Sequence, residues 1–217
     1  MRGSQARIAE INLLVSESVP HSPYPRSDIP VPPSTGPGFA VLLTGFSGAG
    51  KSTVAEELLR RWTSQREVTV LDGDIVRTML SQGLSFSRED RDLNIRRIGW
   101  VSAEVVRHGG AVIIAAIAPY DGAREEARTM VEAYGVFSLV HLSTPLEVCE
   151  GRDVKGLYAR ARSGEIGSFT GISDPYELPT RPDVVVDTSQ LPVESSADAI
   201  EAYLRHRGIQ LDRQMSA

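Results

Sequence analysis

The sequence is poor in cysteine. Cys149 is the single cysteine in 217 residues, and one thiol makes neither an intrachain disulfide nor a cysteine-based zinc cluster. Long hydrophobic runs are also missing. The longest, Ala111 to Ala118, falls far short of the roughly 20 residues that cross a bilayer, so no transmembrane helix and no membrane partner are expected. An excess of basic charge is absent too. With 23 Lys and Arg against 28 Asp and Glu, the net charge is -5, which argues against a nucleic-acid partner and confines any anion site to a local patch. The apolar stretch Ile11 to Val15 is too short for a signal peptide and follows Glu10; with the lone cysteine, this predicts a cytoplasmic protein.

Lysine is almost as scarce. Of the 23 basic residues 21 are arginine, and the two lysines, Lys51 and Lys155, both lie in glycine-marked segments. A general bias toward arginine accounts for the total. A site that needs a compact ammonium on a flexible stem nevertheless resists that replacement, so both lysines are candidates for phosphate contact.

Proline is concentrated. Seven of the thirteen prolines lie between Pro20 and Pro37, a density that excludes helix and central strand. Residues 1–37 therefore read as a proline-rich arm or linker, and residues 38–217 as one folded domain. From Phe39 onward, short apolar runs alternate with helical patterns. Phe39 to Thr44, Val68 to Leu71, Ala111 to Ala116, Phe137 to Leu142 and Val184 to Val186 predict five parallel strands. Helices are expected between them at about 52–62, 74–81, 88–108, 122–133, 145–150 and 194–206, the third opened by a Ser87/Asp90 capping box.

Gly45-Phe46-Ser47-Gly48-Ala49-Gly50-Lys51-Ser52 matches G-x-x-x-x-G-K-[ST] between a strand and a helix, the context that motif requires. Its glycines let backbone N–H groups curl toward phosphate, aided by the helix dipole. Gly45, Ser47, Gly48, Ala49, Gly50, Lys51, Ser52 and Thr53 form the expected ATP cradle, Lys51 reaching the β- and γ-phosphates and Ser52 ligating Mg²⁺. The fold class is thus α/β, a three-layer P-loop NTPase type with a mostly parallel five-stranded sheet.

The second strand ends in Leu71-Asp72-Gly73-Asp74, where open α/β sheets bind ligands. Asp72 is expected to face the crevice beside the P-loop, whereas Asp74 also suits a helix N-cap. The run Val112 to Ile117 leads to Ala118-Pro119 with no acid, which favours a small-molecule kinase over a motor or GTPase. The run Arg77, Arg88, Arg91, Arg96 and Arg97 could be a solvated face partnered by Glu89, Asp90 and Asp92, but spacing favours a subset: Arg77, Arg91 and Asn94 can converge on an anion, the last two being i and i+3 on one helix, while Arg88 and Arg96 cannot easily join. Phe86 either stacks on a base or packs. Arg152 to Gly171 is rich in glycine and charge without long apolar runs, the pattern of an exposed, mobile lid spanning about 151–178 that excludes water from phosphoryl transfer. Cys149 and the four histidines lack metal-ligand or triad spacing.

Together, GFSGAGKST, LDGD, SFSREDRDLNIRRIG, PLEVCEGRDVKGLYARARSGEIGSFTGISDPYE and VVVDT resemble the adenylyl-sulfate kinase family, from about Gly38 to Thr188. That resemblance implies transfer of the ATP γ-phosphate to the 3'-hydroxyl of adenosine 5'-phosphosulfate (APS), giving 3'-phosphoadenosine 5'-phosphosulfate (PAPS) for sulfate activation and assimilation. It implies catalytic roles for Lys51, Asp72 and Lys155, with Asp72 and Ser52 on Mg²⁺. It places Asp74, Arg77, Phe86, Arg91, Asn94, Ile117, Lys155 and Phe169 at APS, and Arg152 against the ATP adenine. It further implies a homodimer, associated with an ATP sulfurylase to which some members are fused.

Four positions depart from the family pattern: Ile75 stands where asparagine is usual, Ala118 for serine, Asp121 for arginine, and Gly167-Ser168 for lysine-glycine. None removes a phosphate-handling residue of the P-loop or Asp72. The alternatives are a P-loop kinase of another small hydroxyl substrate, and a nucleotide-binding module with little turnover.

Overall fold

The computed structural model describes residues 36–211. The arm expected at residues 1–37 lies, except for its last two positions, outside the described residues. The elements are β1 (Phe39–Thr44), α1 (Lys51–Trp62), β2 (Val68–Asp72), α2 (Gly73–Met79), α3 (Arg88–Arg107), β3 (Ala111–Ala115), α4 (Asp121–Glu132), β4 (Val136–Leu142), α5 (Leu146–Arg152), α6 (Leu157–Arg162), β5 (Val184–Val186) and α7 (Val193–His206). The strands form one sheet in the order β2-β3-β1-β4-β5, every neighbouring pair parallel.

This architecture follows from composition and period. β1 and β3 are buried at every position, and apolar at all but Thr44, because helices cover both faces of the sheet. Side chains alternate between the two layers. Phe39, Val41 and Leu43 meet Leu58 and Trp62 of α1 and Ile200 and Leu204 of α7. Ala40 and Leu42 meet Ile95 and Ile98 of α3 and Ala127 and Val131 of α4. The α3–α4 pair approaches so closely that a Cβ on Gly99 would lie 2.9 Å from the Ala127 Cβ. On the other face, Trp62 stands edge-on to Phe39 at 5.3 Å and donates Nε1–H to Glu201, satisfying its polar atom in the core.

Five expected strands and six expected helices are present, with ends shifted by one or two residues. The capping box is only half formed: Ser87 Oγ accepts from the Asp90 N–H, but the Asp90 carboxylate turns to the N–H and hydroxyl of Ser85. α6 was not expected. Gly156, left-handed at φ 64°, precedes it as the N-cap, and the Asp153 carboxylate accepts from the Tyr158 and Ala159 N–H groups of its first turn. The expectation that 152–171 is exposed is corrected in part, because Tyr158, Ala161 and Phe169 are buried in the main core and Thr170 is buried beside Arg91. Too few apolar residues are adjacent in sequence there to form a run; they converge only in the fold. Among the described residues, no helix is long and apolar enough to cross a membrane.

Candidate active site

The chain order turns back at β1, which pairs with β3 on one side and β4 on the other, so a crevice opens at its carboxyl end. The P-loop fills the start of that crevice. Gly45, Gly48 and Gly50 take φ of 148°, 78° and 89°, a left-handed path that side-chain-bearing residues rarely follow. Lys51 Nζ donates to the Gly45 and Phe46 carbonyls at 2.9 and 2.6 Å. Burial in this crowded loop, with a smaller push from Lys155, lowers the Lys51 pKa to about 8 although Asp72 and Asp74 pull it upward.

β2 delivers the acidic turn. Asp72 Oδ1 accepts from the Asp74 N–H at 2.9 Å and caps α2, while Oδ2 accepts from Ser52 Oγ at 3.3 Å. Asp72, not Asp74, is therefore the N-cap: β2 runs one residue further than its apolar stretch and leaves Asp72 at the strand–helix junction. The Asp74 side chain instead accepts from Lys155 Nζ at 2.5 Å. One hydroxyl and one carboxylate oxygen side by side, open to solvent, fit Mg²⁺, a hard cation that keeps several waters and takes phosphate oxygens as its remaining ligands. Among the described residues, no cluster of three or more His, Cys, Asp or Glu forms a denser metal cage.

The arginine block divides as its spacing predicts. Arg88 and Arg96 pair outward with Glu177 and Glu126. Arg91 and Asn94 are buried on one face of α3, and Asn94 Oδ1 has no hydrogen-bond partner. Arg77 and Arg91 lie 4.4 and 5.6 Å from the centroid of the Phe86 ring, and Phe86 is 56% exposed. The convergence of Arg77, Arg91 and Asn94 on an anion is modified, because every nitrogen of Arg91 already donates within the protein: Nε to Phe86 O, Nη1 to Thr170 Oγ1 and Nη2 to Ser168 O. Phe169, expected at APS, is buried edge-on against Tyr158 at 4.9 Å.

Arg152 folds back onto the P-loop, donating to the Gly48 carbonyl and to both oxygens of Thr188. The sequence pattern does not single out the other clasps on this loop. Thr188 Oγ1 donates to Ala49 O and Tyr158 OH to Ser47 O. Thr188 lies in the VVVDT segment, whose position after the last strand was the available signal. Ile117 O accepts from Thr44 Oγ1 at 2.6 Å, and Ala118 is left-handed at φ 45°. Of the other departures, Ile75 is exposed, Asp121 accepts from Thr180 Oγ1 and Arg124, and Gly167 O accepts from Ser173 Oγ. Cys149 is buried in the core.

A P-loop whose lysine and hydroxyl sit beside a strand-end carboxylate, at the turning point of a parallel sheet, defines a nucleoside triphosphate-binding protein of the P-loop kinase class. The model of the adenylylsulphate kinase family matches residues 37–187, and the chain belongs to that family. An adenylyl-sulfate kinase of Microcystis aeruginosa is 55% identical over 160 residues, covering 73% of this chain and 87% of that protein. A sulfate adenylyltransferase of Neurospora crassa is 48% identical over 184 residues, 84% of this chain but 32% of its own; the chain thus spans about a third of the length of such relatives. Among solved structures, the Mycobacterium tuberculosis APS kinase CysC in complex with AMPPNP and APS matches with TM-score 0.74 and 39% identity, over 78% of this chain and 98% of that one.

Proposed function

We propose that the protein transfers the γ-phosphoryl group of ATP to the 3'-hydroxyl of adenosine 5'-phosphosulfate, yielding 3'-phosphoadenosine 5'-phosphosulfate. The observation that carries this reading is the meeting of Ser52 and Asp72 at 3.3 Å beside Lys51.

The P-loop N–H groups and the N-terminus of α1 take the ATP phosphates. Lys51 leaves the Gly45 and Phe46 carbonyls for the γ-phosphate, where its charge follows the phosphoryl group in transfer. Ser52 and Asp72 would hold Mg²⁺, which when bound would supply neutralisation of phosphate charge. Phe86 over Arg77 offers the acceptor adenine a stacking surface, and Asn94 Oδ1 offers a buried acceptor for a ligand N–H. Lys155 exchanges Asp74 for phosphate. The tie of Arg91 to residues 168–170 supports its acting on the acceptor side by fixing that wall around Phe86. Catalysis then rests on positioning and electrostatics, without a covalent step. The sulfate adenylyltransferase relatives support an association with a sulfurylase that supplies the acceptor, and the same reading includes a homodimer in the cytoplasm.

The test is a coupled assay with ATP, Mg²⁺ and a panel of acceptors comprising APS, AMP and small hydroxylated metabolites. PAPS formation dependent on APS is the expected result. Phosphorylation of another acceptor in preference to APS refutes the assignment.

A further inference from the structure

We infer that Arg124 is the positioning residue of the acceptor loop, holding the Ile117–Pro119 backbone and the 174–178 segment together as one wall of the crevice. This rests on the kinase reading above.

Arg124 sits in the first turn of α4 and its side chain is fully buried. A guanidinium is costly to desolvate, so its burial requires partners that compensate. Nη1 donates to Ala118 O at 2.6 Å, and Nη2 donates to Asp121 Oδ1 at 2.9 Å and Glu177 O at 2.7 Å. Its carbon lies 5.6 Å from the Tyr176 ring centroid. One side chain thus joins the loop after β3, the start of α4 and the segment after residue 173. That junction is reinforced from both sides: Tyr120 OH donates to Asp174 Oδ2, and the Asp121 N–H donates to Glu177 Oε2.

The backbone says what the grip is for. Ala118 is held at φ 45°, which an alanine adopts only where its surroundings over-determine it. The Arg124 bond falls on the carbonyl of that same residue, and Thr44 Oγ1 donates to the carbonyls of Ile117 and Ala118. Residues 111–116 and 118–120 are buried and Ile117 between them is half-buried, so the kink presents that one residue at the carboxyl end of β3. Arg124 touches no reacting atom; it sets where Ile117 stands and ties that position to the 174–178 segment.

The experiment compares the full chain with Arg124→Lys, Thr44→Val and Arg124→Lys/Ala118→Gly, measuring KM for APS, KM for ATP, kcat and the thermal midpoint. Lysine keeps the charge but cannot span Ala118 and Glu177 as a planar fork does. Arg124→Lys should raise KM for APS about tenfold or more through misplacement of the wall, with KM for ATP changed no more than about twofold. Glycine takes a left-handed φ without strain, so Ala118→Gly should recover part of the APS KM in the Arg124→Lys background. Thr44→Val should show the same selective rise, smaller in size, and it carries the test if Arg124→Lys does not fold. Equal changes in both KM values, or an unchanged KM for APS, overturn the inference. A wild-type chain that fails to phosphorylate APS refutes the kinase reading instead, so the two failures are distinct.

Discussion

Lys155 and Asp74, 81 positions apart, meet at 2.5 Å between Nζ and Oδ2, linking the segment after α5 to the acidic turn after β2. The two side chains are 60% and 75% exposed. A pair this open contributes about 0–1 kcal/mol to stability, so its value lies in where it keeps the two groups. Donation of a hydrogen bond to the Asp74 carboxylate raises the Lys155 pKa and keeps the ammonium charged.

Lys155→Met and Asp74→Asn should therefore leave the unfolding free energy within about 1 kcal/mol of wild type while turnover with APS falls. Denaturant unfolding and the coupled assay, run on the same samples, check both halves. A large loss of stability with kcat preserved would assign the pair to the fold rather than to the site.

Asp72 carries two loads on its two oxygens, and two substitutions separate them. Asp72→Asn keeps an acceptor for the α2 N-cap but removes the charge that fits Mg²⁺, so turnover should fall roughly 10²-fold or more with little loss of stability. Asp72→Ala also loses the cap and should be destabilised by about 0.5–2 kcal/mol relative to Asp72→Asn. Equal stability of the two variants would show that the cap bond seen at Oδ1 contributes nothing.

The pH dependence follows from Lys51. Its folded pKa of about 8 lies below the ordinary 10.5, so the desolvated ammonium costs stability below pH 8, and that cost is relieved as pH rises from about 8 toward 10.5. ATP phosphates favour the charged form and should draw a proton onto Lys51. Calorimetric titration at pH 8.5 in buffers of different ionisation enthalpy should register proton uptake on ATP binding. Lys51→Ala should abolish that uptake and reduce turnover about 10²-fold or more. Uptake that survives in Lys51→Ala would move the titrating group elsewhere.

Ala118 bears no hydroxyl at the place where the family pattern has serine, so no phosphoenzyme forms there. The γ-phosphoryl should pass in line from ATP to the acceptor. ATP chiral at the γ-phosphorus should give product of inverted configuration, and protein denatured after incubation with labelled ATP alone should retain no label. Net retention, or one label per chain, would reveal a covalent intermediate on another residue.

The P-loop, the strands and helices around it, and the crevice-facing acid at the end of β2 are all legible in the chain. Each is written locally, in glycines at fixed offsets, in apolar runs of strand length, and in a carboxylate at a strand end. Helical spacing also sets Arg88 and Arg96 apart from Arg91 and Asn94, and they pair with Glu177 and Glu126 away from that buried face. The residues that hold the crevice together carry no such mark. Arg124 reaches Glu177 across 53 positions, Arg91 reaches Thr170 across 79, and Tyr158 reaches Ser47 across 111. Phe169 looks exposed in a glycine-rich stretch, yet it is buried because Tyr158 is brought beside it. Local pattern dictates which segments become strands, helices and phosphate loops, since those choices depend on neighbours within a few residues. Which donor meets which carbonyl, and which aromatic is covered, depends on how the sheet order stacks distant segments at one edge, and that order exists only once the chain has folded.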